Sequence, residues 1–298
     1  MIDNRTLRRR GAALAAENRA ECRRLVLIYS GALAALTLGT NGIYLLLDSG
    51  ISGTGGLSGV GLRSVLQTIQ SILTYANLLF TPLWSAGFLA AMMAMARGGK
   101  PQPRNLLDGF RRFGRVLGFL AFQFLVGVAV MMAAVNVATM IYALSPVARA
   151  GLDASLEAAL LVGLSLAIFA SVYAWLSYCF RLALYLVMDG APSGVRAHFV
   201  SLHLMRGHKM QIFKLDLSFW WYYALGLLAT AVGYLDLILG LAGVELAIDS
   251  TVMFFGTMIA YCLIQLAVNL WKKCPVDAAY VLAFDAIVHP ETEPVETK

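Results

Sequence analysis

Charge is what this sequence has least of. Only 13% of its 298 residues are Asp, Glu, Lys or Arg, while 59% are hydrophobic. A soluble domain carries about 25% charged residues, so charges this few and this clustered exclude a water-wetted surface. Histidine is rarer still, with four residues, and the four cysteines (Cys22, Cys179, Cys262, Cys274) form no C-x-x-C pair. That excludes ribbon-type zinc sites and dithiol redox motifs. On the topology below the cysteines fall within spans or on the cytoplasmic side, where disulfides are not expected. The Gly/Ser run "DSGISGTGGLSGVG" (Asp48–Gly61) has no following Lys-Ser/Thr, so it lacks the lysine that a phosphate loop needs. It reads as a flexible external loop, with 64–71 a short interfacial helix. No apolar run contains a histidine, and no two runs carry mid-run carboxylates. Catalysis within a bilayer is therefore not expected, and the chain reads as a non-enzyme with no cofactor and no metal.

Long apolar runs are what the sequence has instead. About 20 apolar residues cross roughly 30 Å of hydrocarbon, and six runs qualify: 25–47, 74–96, 116–144, 156–188, 215–235 and 251–271. The fold class is all-α, a polytopic membrane helix bundle with six transmembrane helices and cytoplasmic interfacial helices. Three regions follow: a basic N-terminal helix over 1–24, a six-span membrane domain over 25–271, and a tail over 272–298, disordered at its end. The first run, at 23 residues, exceeds the 7–15 of a cleavable signal peptide and reads as an uncleaved span. Lys and Arg fix the orientation. Seven lie in 1–24, six in 97–115, five in 181–214 and three in 272–298, leaving Arg63 and Arg149 for the alternate connections. Those connections hold Asp48, Asp153, Glu157, Asp236, Glu245 and Asp249. By the positive-inside rule both termini are cytoplasmic. The net charge of +6 comes from these helix-end residues and implies no nucleic acid.

Several residue groups invite a functional reading. Leu106, Phe110, Phe113 and Leu117 recur at i, i+4, i+7 and i+11 opposite Asp108, Arg111, Arg112 and Arg115, the pattern of a single helix in the headgroup plane. Gly31, Ala35 and Gly39 share a stripe on span one, and Gly114 and Gly118 repeat the spacing; small residues there let helix backbones approach closely. Arg181 is the one formal charge well inside a predicted span. It either snorkels, or pairs with Asp189 or Asp216, or receives an anion. His198, His203 and His208 are spaced by five, about 140° apart on a helix, so they read as interfacial histidines and not as a metal site. Asn41, Asn77, Gln123, Asn136, and Gln265 with Asn269 at i, i+4 suit interhelical hydrogen bonds or the lining of a polar path.

From Tyr178 onward the residues form a signature: Tyr178, Tyr185 and Asp189; then Ser201, Met205, Gly207, His208 and Lys209; then Phe213, Leu215, Leu217, Ser218 and Phe219. With the basic opening "RTLRRRGAAL" (Arg5–Leu14), this resembles the bacterial membrane protein family known only as domain of unknown function 975. The resemblance implies a multi-pass protein of a bacterial inner membrane and no biochemical activity. In the signature itself, Gly207 ends one helix and the chain turns sharply into span five. Such a motif serves equally as a rigid elbow and as a docking surface.

The expected function is that of a non-enzymatic membrane component, acting through a basic cytoplasmic face on partner proteins or membrane lipid. The candidate patch is Arg181, Asp189, His208, Lys209 and Asp216, drawn from the ends of spans four and five. The alternative is a permease or substrate-binding subunit of a transporter energised by another chain, which a polar cavity lined by Gln123, Asn136, Gln265 and Asn269 would favour.

Overall fold

Asp3 begins the helical chain by accepting a hydrogen bond at 3.3 Å from the Arg5 amide, an N-cap that satisfies one of the orphan donors at a helix start. In this computed structural model residues 3–51, 57–145, 154–190, 193–235, 238–239 and 250–290 are described. Helices α1 (Asn4–Glu17), α2 (Arg19–Ile51) and α3 (Leu57–Ala96) are followed by a 3₁₀ turn (Pro103–Leu107) and the single turn α4 (Asp108–Arg111). Next come α5 (Phe113–Leu144), α6 (Ala154–Cys179), α7 (Ala183–Asp189) and α8 (Gly194–Leu204). Helices α9 (Lys209–Ser218), α10 (Trp220–Gly233) and α11 (Ser250–Val288) complete the chain. No strand occurs among the described residues. The fold is all-α.

Five segments are long and apolar enough to cross a membrane: Arg19–Ile43, Gln67–Ala96, Phe113–Leu144, Leu156–Asp189 and Val252–Val288. The pair α9 and α10, bent by 64°, makes a sixth if it is one span. Their outward faces are apolar: Phe124 is 70% and Leu227 71% exposed. Apolar patches this extensive are not left open to water, which supports a membrane protein.

The chain divides into two compact units, Met1–Arg111 with Lys214–Lys298, and Arg112–Phe213. In the first, α1 buries Leu7, Gly11 and Ala15, one stripe at four-residue spacing, against α11. A Cβ on Gly11 would stand 2.8 Å from the Ala279 nitrogen, so the two backbones are in contact. Arg97 at the end of α3 pairs with Asp285 of α11 at 2.8 Å. In the second unit α5 packs on α6 and α8. A Cβ on Gly194 would collide with the backbone at Phe119 and Gly118, which puts one of the expected small-residue positions at a real close approach. Gly31, Gly39 and Gly114 face open space; the stripe expected on span one joins no helix here, because Tyr29, Ser30 and Val26 carry the packing of α2 instead.

Three expectations are corrected. The 105–117 segment is not one surface helix. Pro103 starts a 3₁₀ turn, as its fixed φ favours. A Cβ on Gly87 would strike the Leu106 carbonyl and one on Gly109 the Leu83 carbonyl, so this turn is pressed onto α3 too tightly to wind as an independent helix. Leu106 is fully buried, and Phe110 packs on Phe80 and Trp84 with ring centroids at 5.6 and 6.3 Å. Phe113 and Leu117 begin the long helix α5 and are exposed. Second, the loop expected over 48–61 is helical at both its ends, since α2 runs to Ile51 and α3 starts at Leu57. The interfacial helix expected over 64–71 is simply part of α3. Third, the last helix does not stop at 271: α11 continues through Pro275 to Val288. Residues 52–56, the acidic Asp153, Asp236, Glu245 and Asp249, and the end of the tail over 291–298 lie outside the described residues.

Candidate functional site: a polar cavity beside helix α11

Every fourth residue of α11 from Tyr261 is polar: Tyr261, Gln265, Asn269, Lys273 and Asp277. Residues four apart lie on one helical face, and this face borders a cavity of about 190 Å³ in the first unit. Tyr29, Ser30, Leu33, Ala34 and Thr37 of α2 and Tyr222 of α10 close it. The polar groups are mostly tied together. Asn269 donates to the Ser30 hydroxyl at 3.1 Å and accepts from the Tyr222 hydroxyl at 3.4 Å. Tyr29 and Ser85 share a hydroxyl hydrogen bond at 3.0 Å, and Trp84 donates to the Tyr29 carbonyl at 3.1 Å. One group is left over: the buried Gln265 Oε1 has no hydrogen-bond partner. An unpaired buried acceptor costs about 1–3 kcal/mol, and this one belongs to a residue that lines the cavity.

Lys273 closes the basic end of the cavity. Its ammonium pairs with Asp277 at 3.1 Å, the two side chains being 16% and 27% exposed. It also stands over the rings of Tyr29 and Phe88, 4.8 and 4.6 Å from their centroids, the cation–π geometry that holds a poorly hydrated cation. Lys273 is 21 residues from Val252, about 32 Å of helix, which is one hydrocarbon thickness. From Lys273 to Tyr261 is about 18 Å. The cavity therefore runs from one edge of a bilayer-sized span to past its middle.

A second polar line sits beside the first. Tyr223 and Tyr280 share a hydrogen bond at 2.7 Å, and Tyr280 donates to Asp216 through a short contact. Asp216 is thus engaged inward, within the first unit. Of the aromatic run Phe219–Tyr223, Trp220 is exposed while Tyr222 and Tyr223 turn into these networks.

The other members of the sequence-derived patch belong to the second unit. Lys209 donates to the Cys179 sulfur at 3.0 Å and stands 4.3 Å from the Trp175 ring centroid. Ser201 donates to the Cys179 carbonyl at 3.0 Å and accepts from the Leu182 amide at 3.2 Å. These bonds satisfy the backbone where α6 breaks before α7. Gly207, at φ +91°, supplies the left-handed turn between α8 and α9. His208 bonds the Leu204 carbonyl at 3.0 Å, Arg181 lies half-buried in the turn after α6, and Asp189 closes α7. The signature residues hold an elbow together.

His198 is not interfacial, as expected from sequence, but fully buried. It stacks on Phe119 and Phe122 at 4.7 and 4.6 Å, with Phe180 at 5.0 Å, and its Nδ1 meets the Gly194 carbonyl at 2.9 Å. Burial pushes its pKa below the usual histidine value. His203 is exposed, so the three histidines occupy three different environments. Among the described residues no three His, Cys, Asp or Glu side chains converge on a metal-sized site.

Of the four residues whose cavity would favour the permease reading, Gln265 and Asn269 line the one beside α11. Gln123 donates instead to Tyr173 at 3.2 Å on the neighbouring helix of the second unit, and Asn136 bonds its own helix at the Met132 carbonyl. Sequence reasoning missed Lys273 and Asp277, which continue the Gln265–Asn269 spacing, because two lysines and Pro275 read as the end of a span.

No curated protein and no solved structure matches the chain. A family profile matches residues 54–255, which takes in Tyr222 and the whole elbow but leaves the α2 and α11 walls of the cavity outside. The chain belongs to the family described as protein of unknown function (DUF975).

Proposed function

We propose that this chain is a non-enzymatic, multi-pass component of a bacterial inner membrane that binds a small polar solute in the cavity beside α11, as the permease or substrate-binding subunit of a transporter energised elsewhere. The unpaired Oε1 of Gln265, a residue that lines that cavity, carries the reading. A pocket of this volume is smaller than a drug-sized site, which restricts the solute to a few heavy atoms. Such a solute brings an N–H or O–H donor for Gln265.

The other reading, a module acting only through its basic face on proteins or lipid, has less support at the patch chosen for it. Lys209 is occupied by Cys179 and Trp175, and Asp216 by Tyr280. Basic residues elsewhere keep lipid contact in play, as argued below. The Lys/Arg distribution supports a cytoplasmic side for both termini. Reporter fusions at residues 100, 205 and 285 then report inside, and fusions at 55, 150 and 243 outside.

The test of the solute reading is a thermal-shift screen of the purified protein in nanodiscs against small amides, amino acids, polyols and ammonium compounds. A stabilising compound whose effect disappears in Gln265→Leu supports the reading. Equal stabilisation of wild type and Gln265→Leu by every active compound, or stabilisation by none, overturns it.

A further inference from the structure

A larger groove opens on the same unit, between α1, α2 and α11, with a volume of about 720 Å³. Its lining changes character along α2, while α11 lines it with apolar side chains and Cys274 throughout. On α2, Arg19 and Arg23 come first and Val26 and Leu27 follow; on α11, Pro275 and Cys274 lead down to Trp271, Leu270 and Ala267. The two helices run antiparallel, since Cys22 meets Cys274 through a 3.8 Å contact and Ser30 meets Asn269 at 3.1 Å. The groove therefore has the α2 guanidinium groups at one end and apolar side chains of both helices along the rest. Ala12, Ala15 and Ala16 of α1 form a low side wall that leaves the groove open.

Neither Arg19 nor Arg23 has a hydrogen bond or ion pair among the described residues. The nearby acids Glu17 and Glu21 do not line the groove. Below the arginines, beside the apolar part of the groove, Trp271 is 59% exposed and Lys272 stands over its ring at 5.0 Å, the aromatic–basic pairing found where a span meets headgroups. A cationic rim over an apolar trough complements one class of molecule, with an anion at one end and a hydrocarbon chain at the other.

We propose that this groove is a specific site for an anionic phospholipid, its phosphate held by Arg19 and Arg23 and one acyl chain lying along Val26, Leu27, Ala267 and Leu270. This goes beyond the solute reading and does not depend on it. The groove is separate from the polar cavity, and the two share no lining residue. An ordinary annular lipid would exchange freely, whereas a chain seated between three helices is retained.

The experiment uses the full chain in nanodiscs of equal phosphatidylglycerol and phosphatidylcholine, followed by detergent extraction and native mass spectrometry of the retained lipid. The expected result is retained phosphatidylglycerol with a preference that falls roughly tenfold or more in Arg19→Gln/Arg23→Gln, each basic residue near an anionic headgroup contributing about that scale. Leu27→Trp keeps both arginines and fills the trough; it is expected to lose the retained lipid with an unchanged melting temperature in pure phosphatidylcholine. Equal retention of the two lipids overturns the proposal, and so does an undiminished preference in the arginine variant. Displacement by millimolar inorganic phosphate shows a free-anion site and overturns it, as does a bound protein in place of lipid.

Discussion

Asn269 of α11 donates to Ser30 of α2 at 3.1 Å, across 239 positions of sequence. The bond joins two spans in the middle of the polar face, and the Tyr222 hydroxyl shares the same amide from α10. In lipid such bonds contribute about 0.6–1.7 kcal/mol each. Asn269→Ala should therefore lower stability by roughly 1–2 kcal/mol, measured by thermal unfolding in a mild detergent. Combined with Ser30→Ala the loss should be less than the sum, because both remove one bond. Additive losses would mean that the two side chains act separately.

The Lys273–Asp277 pair makes an asymmetric prediction. Removing one partner of a poorly solvated ion pair leaves an uncompensated charge, while replacing both with apolar residues does not. Asp277→Asn is expected to destabilise by about 2 kcal/mol, below the 3–5 of a fully buried pair because both groups keep some solvent. Lys273→Met/Asp277→Leu is expected to sit closer to wild type than Asp277→Asn does. A double variant less stable than the single one in chemical or thermal unfolding contradicts this.

His198 gives the protein an acid-sensitive point outside the spans. Burial among Phe119, Phe122 and Phe180 lowers its folded pKa, so the unfolded chain binds the proton more readily. The neutral ring's stability contribution is complete above the ordinary histidine pKa of about 6.5 and is lost as pH falls from there through the depressed folded value. Melting temperature should thus drop as pH falls below about 6.5, and His198→Phe, which keeps the stack, should flatten that slope. An identical slope in the variant would place the acid sensitivity elsewhere.

How much of this was legible in the sequence depends on the element. The spans were readable because an apolar run of 20 or more residues has few alternatives, and the turn at Gly207 because only glycine takes φ +91° without strain. The end of α11 was not readable. Lys272, Lys273 and Pro275 carry the local signals of a span terminus, and what overrides them is tertiary: α1 packs Gly11 onto Pro275 and Ala279, and Asp277 neutralises Lys273. The polar stripe was half visible, as Gln265 and Asn269, since the reading stopped where the span was taken to end. The 105–117 periodicity misled because Leu106 satisfies a helical face and a 3₁₀ contact equally well. Ser201 and Lys209 were found as signature residues, but their inward role at Cys179 needed the fold.

The central claim is that a water-accessible polar cavity penetrates the span of α11. Cys262 lines that cavity, about 16 Å along the helix from Lys273, at a depth where lipid-facing thiols do not ionise. The direct measurement is the labelling rate of Cys262 by a small charged thiosulfonate in proteoliposomes, with Cys22, Cys179 and Cys274 replaced by serine or alanine. The comparison is Leu263→Cys in a chain that also lacks Cys262, because Leu263 is 60% exposed on the outer face. The account predicts that Cys262 reacts at least about tenfold faster than residue 263, a difference of about 1.4 kcal/mol in accessibility, and that Gln265→Trp suppresses the reaction. Equal, slow labelling at both positions would contradict it.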